Sequence, residues 1–198
     1  LMNLRINKNP IYLSRHGESE YNVLRKIGGD SNITKKGKKY AQNLYKFIKN
    51  DLNDSDFLIF TSHLKRTIQT SKYFPNKKIR SRLLNEVHAG YCEGLSYEEI
   101  KEKYPDISQK RSEDKLRYRY PEGESYLDLV ERLRYFILQI ECINLPFIII
   151  GHNAINRVLL GYFTGEKLEK IPHIEMNLNE VIKLTPNSKG YSIKRIKL

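Results

Sequence analysis

One feature constrains this sequence more than any other: short continuous apolar runs alternate with stretches of helical period. The runs at 11–13, 57–60 and 147–150 are each uninterrupted. Behind them, apolar residues recur every three or four positions. A run that is apolar on both faces reads as an interior strand of a parallel sheet, and the stretch after it as a returning helix. The spacing predicts a helix capped by Thr34, with Ala41, Leu44, Ile48 and Leu52 on one face. Further helices are predicted over 64–73, over 97–104 between a Ser96 cap and Pro105, from Ser125 or Glu124 onward, and over 154–163. The long one carries Tyr126, Val130, Leu133, Ile137 and Ile140 as its buried stripe. Leu83 is the remaining strand candidate, and 108–122, charged and rich in Tyr, reads as a loop. The stretches 180–184 and 191–196 form a closing hairpin that turns at 186–190. The expectation is an α/β fold of three layers, a mostly parallel sheet with helices on both faces.

Length and composition bound what such a fold does. The 198 residues suffice for one domain with a real core. The longest apolar run is far too short to cross a membrane, and the N-terminus has no apolar leader pattern. Cys92 and Cys142 make neither a disulfide framework nor a metal-ligand spacing, which points to a reducing, cytoplasmic setting. The net charge of +12 points to a polyanionic partner: nucleic acid, an acidic membrane surface or a phosphorylated small molecule. The competing reading is a merely solvated basic surface. No RNP-type aromatic motif supports nucleic acid, and no Walker A loop supports kinase chemistry. The chain opens Leu1-Met2 and carries no tail, which reads as a domain cut from a longer protein.

In parallel sheets, ligands bind beyond the carboxyl ends of strands. The first strand ends in Ser14-Arg15-His16-Gly17-Glu18-Ser19, the second in Thr61-Ser62-His63-Leu64-Lys65-Arg66-Thr67, and the run at 147–150 in Gly151-His152-Asn153. Arg15, His16, Arg66 and His152 would converge there. Two guanidinium forks and two imidazoles make a receptor for a tetrahedral phosphate. The segment 108–122 adds Lys110, Arg111, Lys115, Arg117 and Arg119, a basic stretch able to close over an anion.

Arg15-His16-Gly17-Glu18-Ser19, with Gly151-His152 after a later strand, resembles the histidine phosphatase superfamily, the phosphoglycerate mutase-like fold. Further matches narrow this to the fructose-2,6-bisphosphatase domains of bifunctional 6-phosphofructo-2-kinase/fructose-2,6-bisphosphatases. They include Lys26-Ile27-Gly28-Gly29-Asp30, Asn85-Glu86-Val87, Tyr97-Glu98-Glu99-Ile100, Gly123-Glu124-Ser125-Tyr126 and Lys183-Leu184-Thr185-Pro186. The resemblance runs from about Pro10 to the C-terminus. It implies a phosphatase that removes the C2 phosphate of fructose 2,6-bisphosphate through a phosphohistidine. His16 would be the nucleophile. Arg15, Arg66 and His152 would hold the phosphoryl oxygens. Glu86 would give a proton to the leaving sugar oxygen and later take one from water. Asn22 and Gly28 would lie near the reacting phosphate, with Tyr97, Arg111, Lys115, Tyr126, Asn153 and Arg157 at the 6-phosphate and sugar.

His16, His63, His88, His152 and His173 form no ligand pairs at helical or hairpin spacing and no acidic cluster suggests a magnesium cage, so no metal or cofactor is expected. The resemblance implies a sugar bisphosphate as ligand, with no nucleic acid or membrane partner, and a kinase domain elsewhere in a longer parent chain. Three positions depart from the family pattern: His88 stands where Asp is usual, Asn153 where Gln is usual, and Arg25 where Gly is usual. Two alternatives stay open. One is a phosphoglycerate mutase or a broad sugar-phosphate or acid phosphatase with the same catalytic set. The other is an RNA- or membrane-binding module on an inactive scaffold.

Overall fold

The structure, a computed structural model, describes residues 8–198. Strands β1 (Ile11–Arg15), β2 (Leu58–Thr61), β3 (Lys78–Arg80), β4 (Phe147–Gly151), β5 (Glu180–Asn187) and β6 (Gly190–Lys197) form one sheet in the order β3-β2-β4-β1-β5-β6. The first four in that order run parallel; β5 and β6 continue antiparallel from β1. The expected three layers are present. Helices are α1 (Glu20–Val23), α2 (Lys35–Asp51), α3 (Lys65–Thr70), α4 (Tyr97–Lys103), α5 (Pro105–Glu113), α6 (Tyr126–Glu141) and α7 (Asn153–Thr164).

The strand period of two divides the core. Tyr12, Ile59, Ile148, Ile150 and Val181 face α2, where Tyr40, Leu44 and Ile48 cover them. Ile11, Leu13, Phe60, Phe147, Ile149 and Ile182 face the other way, onto α6 and α7. Each fully buried Leu or Phe of that layer, such as Leu129, Leu133 and Phe136, contributes about 1.5–3 kcal/mol. A third, smaller cluster stands apart from the sheet. It joins Ala89, Cys92, Ile100, Ile107 and Tyr120 under α4 and α5.

Several expectations need correction. Leu83 is in a 3-10 turn, Arg82–Leu84, and the edge strand is β3. Its sole apolar residue, Ile79, is exposed, so β3 has no apolar signature to read. Residues 108–113 of the expected loop belong to α5: Pro105 stops α4 and also opens α5, as its fixed φ allows at a first helical position. Ile107 is the only apolar residue of α5, so no period marks it. Leu129 and Phe136 are in the buried stripe of α6, whereas Val130 is only half-buried. The closing hairpin turns on Ser188-Lys189 alone, with Asn187 and Gly190 already paired.

Candidate active site

Strand register builds the reacting end. Arg15 pairs with Gly151, so the next residues, His16 and His152, leave neighbouring strands side by side. The His16 N–H donates to the Gly151 carbonyl at 3.0 Å, and the two imidazole centroids are 5.3 Å apart. On the other side of β4, Thr61 pairs with Ile150, which brings Ser62 beside His152.

Hydrogen-bond direction fixes both tautomers. His16 Nδ1 lies 2.8 Å from the Gly17 carbonyl oxygen. A carbonyl only accepts, so Nδ1 carries the hydrogen and Nε2 keeps its lone pair. Arg66 Nε donates to His152 Nδ1 at 3.2 Å. The His152 hydrogen is therefore on Nε2, which lies 2.8 Å from Ser62 Oγ; Ser62 in turn meets Thr67 Oγ1 at 2.8 Å. Burial, reinforced by the charge of Arg66, pushes both imidazoles well below their usual pKa. Both are neutral at physiological pH, the form that His16 needs to act as a nucleophile.

The two guanidiniums are anchored from behind. Arg66 Nη1 donates to the Gly29 carbonyl at 2.7 Å, and Arg15 Nη1 to the Met176 carbonyl at 2.8 Å. Arg15 Nε is buried without a partner. Burial weighs against both charges and the Glu86 carboxylate supports them. Glu86 itself is held at the start of α7, where its two oxygens accept the Ala154 N–H at 3.2 and 3.3 Å and Oε1 also accepts the Val87 N–H at 3.0 Å. Gly28 has φ +68°, and a Cβ there would run into the Glu93 carboxylate. That carboxylate accepts the Gly29 and Ala89 N–H groups and so ties the loop to the third cluster.

A cavity of about 360 Å³ opens over these groups. Arg15, His16, Asn22, Gly28, Arg66, Glu86, Tyr97, Arg111, Lys115, Tyr126, Asn153 and Arg157 all line it. His152 is the exception among the expected residues: it is fully buried, behind Arg66. Of the five cations expected in a closing loop, Arg111 and Lys115 reach the cavity. Arg117 pairs instead with Asp114 and Glu169, and Arg119 with Asp128. His88 does not line the cavity; its Nδ1 lies 3.0 Å from the Glu122 carbonyl.

The cations form a series. Arg15 feels both Arg66 and Arg157, and Lys115 feels Arg157 and Arg111. Burial first, then those two neighbours, bring the Lys115 pKa down to about 8. Arg157 Nη1 donates to Tyr126 Oη at 3.0 Å, and Arg111 stacks over the Tyr120 ring at 4.6 Å. Sequence reasoning missed what orients three of these cations. The Pro172, Ile174 and Met176 carbonyls accept from Lys115 at 2.9 Å, Arg157 at 2.6 Å and Arg15 at 2.8 Å. Backbone acceptors leave no trace in residue types. Ser62 and Thr67, the supports of His152, carried a weak signal in standing beside a strand end.

The chain is 44% identical over all 198 residues to a 6-phosphofructo-2-kinase/fructose-2,6-bisphosphatase of Aquarana catesbeiana and 43% identical over the same length to form 1 of Homo sapiens. It spans 42% of the length of each of those proteins. Among solved structures, an alpha-ribazole phosphatase of Shigella flexneri superposes with a TM-score of 0.83 at 21% identity, covering 96% of both chains. A mycobacterial glucosyl-3-phosphoglycerate phosphatase superposes with a TM-score of 0.79 at 18% identity, covering 96% of this chain and 98% of its own. These structures share the fold. The family model matches residues 11–198, the whole of the sheet that carries His16 and His152 at adjacent strand ends: the chain is a member of the histidine phosphatase superfamily, branch 1.

Proposed function

We propose that this chain hydrolyses the C2 phosphate of fructose 2,6-bisphosphate, giving fructose 6-phosphate and inorganic phosphate. The observation that carries the reading is the cation series Arg66, Arg15, Arg157, Lys115 and Arg111, each in the field of the next and all lining the cavity that holds His16. A substrate with one phosphate uses one end of it. A bisphosphate uses both. The 44% and 43% identity to proteins named as fructose-2,6-bisphosphatases supports the same substrate.

In the first step the His16 Nε2 lone pair forms a bond to the C2 phosphorus. The bond from phosphorus to the C2 oxygen breaks, and that oxygen takes the proton of the Glu86 carboxyl. Arg15 and Arg66 stabilise the charge spread over the transferring oxygens. In the second step water attacks phosphorus and gives its proton to Glu86. The phosphorus–nitrogen bond breaks, returning neutral His16 and phosphate. At the other end Arg111, Lys115 and Arg157 hold the 6-phosphate, with Tyr97 and Tyr126 donating hydroxyls. The buried Asn153 Oδ1, which has no partner, accepts a sugar hydroxyl. Asn22 and Gly28 close the wall beside the reacting phosphate.

The fixed cations supply the charge stabilisation, so the reaction needs no divalent metal. The chain acts as one phosphatase domain of a longer protein that also carries a kinase, in keeping with the bifunctional names of its longer relatives. The free Cys92 and Cys142 suit a reducing cytoplasmic setting. The test is a panel with purified protein and excess EDTA: fructose 2,6-bisphosphate, fructose 1,6-bisphosphate, sedoheptulose 1,7-bisphosphate, 3-phosphoglycerate and p-nitrophenyl phosphate. A kcat/KM highest for fructose 2,6-bisphosphate is expected. Similar values across the panel would establish the broad phosphatase instead.

A further inference from the structure

We infer that Arg25 is a substrate-capture residue. It stands at the cavity mouth, retained in a backbone position that suits glycine, because its charge draws in multiply phosphorylated substrates. This deepens the reading above and rests on it.

The local chain shows why the position is unusual. After the single turn of α1, the Arg25 N–H donates to the Asn22 carbonyl at 3.2 Å and the Lys26 N–H to the Tyr21 carbonyl at 2.8 Å. This is the paired closure that requires a left-handed residue at the first of those positions, and glycine is its usual occupant. Arg25 takes φ +54° there. Of the four other non-glycine residues with positive φ, Asn53, Asp54 and Asn179 are types that tolerate it through their short polar side chains. An arginine has no such excuse, so a gain elsewhere must offset the strain.

The side chain shows where that gain lies. Arg25 is exposed, and it lines the cavity beside Lys26, Tyr97 and Glu98. Among the described residues it forms no ion pair; the rim carboxylate of Glu98 feels its field only from beyond pairing distance. A cation held exposed at the cavity, unpaired, beside the half-buried Arg15, Arg111, Lys115 and Arg157 and the buried Arg66 extends the positive field outward to where an anion arrives. An exposed rim charge acts on the encounter and fades with ionic strength, whereas the more enclosed charges of the cavity act on the bound state.

The experiment compares the natural protein with Arg25→Gly and Arg25→Lys. Arg25→Gly relieves the backbone and removes the charge; Arg25→Lys keeps both. At low ionic strength Arg25→Gly should lower kcat/KM for fructose 2,6-bisphosphate roughly three- to tenfold. The loss should lie in KM, shrink at about 0.5 M salt, and be smaller for p-nitrophenyl phosphate. Arg25→Lys should restore most of it. The Tm of Arg25→Gly should stay level or rise by about 2–4 °C, since strain is removed.

Inhibition of p-nitrophenyl phosphate hydrolysis by inorganic pyrophosphate repeats the test without the sugar: Ki should rise in Arg25→Gly at low salt. An unchanged Ki, a loss insensitive to salt, or an Arg25→Lys as weak as Arg25→Gly would overturn the inference. A natural protein that ignores fructose 2,6-bisphosphate while the pyrophosphate effect persists would overturn only the substrate reading.

Discussion

The two ends of the cavity are built in different ways. His16 and His152 sit at adjacent strand ends, locked by the β1–β4 register, and His16 and Arg66 are each only 4% exposed. The proposed anchoring end takes Tyr126 and Arg157 from α6 and α7, and Tyr97, Arg111 and Lys115 from α4, α5 and the segment after it, beside a small separate cluster of Ala89, Cys92, Ile100, Ile107 and Tyr120. There Tyr97 is 58% exposed. In the proposed reading the sheet fixes the chemistry, and recognition of the second phosphate falls largely to the separately supported segment. The former tolerates no change of register. The latter can vary without disturbing the fold, which is how one scaffold serves several substrates. The carbonyls at 172, 174 and 176 join the two ends, since they hold Arg15 and Arg157 as well as Lys115.

The comparison breaks most plainly at the nucleophile. In the proposed mechanism Nε2 of His16 is the attacking atom, so His16→Ala should abolish turnover of every substrate. Labelled substrate quenched in base should leave acid-labile, base-stable phosphate on the natural protein and none on the variant. Label kept by the variant would move the nucleophile elsewhere. Next in size, Glu86→Gln should lower kcat about 10²–10⁴-fold, because it removes proton transfer and little ground-state binding. The loss should again fall on all substrates. A variant with normal kcat from pH 5 to 9 would take Glu86 out of the mechanism.

The anchoring end should respond selectively. Arg111→Ala removes one charge-assisted contact to the second phosphate, worth about 1.5–3 kcal/mol. KM for fructose 2,6-bisphosphate should rise roughly ten- to a hundredfold, while KM for p-nitrophenyl phosphate barely moves. Equal losses on both would place Arg111 at the reacting phosphate and dissolve the distinction between the ends.

How much of this was legible in the sequence follows the same division. The runs at 11–13, 57–60 and 147–150 announce buried strands, and the sheet rule then names Arg15, His16, Arg66 and His152 as neighbours before any coordinates are known. Burial on both faces is a strong composition signal. The anchoring segment lacks it: α5 has a single apolar residue, so no period betrays a helix, and only the resemblance picked Arg111 and Lys115 out of five nearby cations. Their neighbours Arg117 and Arg119 differ by the acids that happen to face them, a tertiary fact. Nor could residue types disclose that His152 is fully buried against Arg66 and does not line the cavity, because that depends on tertiary packing.

The smallest effect is a pH dependence confined to one end. Burial and the charges of Arg157 and Arg111 bring Lys115 down to a pKa of about 8 in the free protein. A bound phosphate favours the charged lysine, so its pKa rises on binding. Below about pH 8 Lys115 is already charged, and affinity for the bisphosphate is flat on its account. Above that, binding must first protonate the lysine, and affinity falls by up to about tenfold per pH unit until the pKa of the complex is reached. KM for fructose 2,6-bisphosphate should therefore rise from about pH 8 to 9.5 while kcat holds, and KM for p-nitrophenyl phosphate should not follow. Lys115→Arg keeps the charge throughout that range, so its KM should stay flat. The same upturn in Lys115→Arg would assign the titration to another group, and an upturn shared by both substrates would assign it to the reacting end.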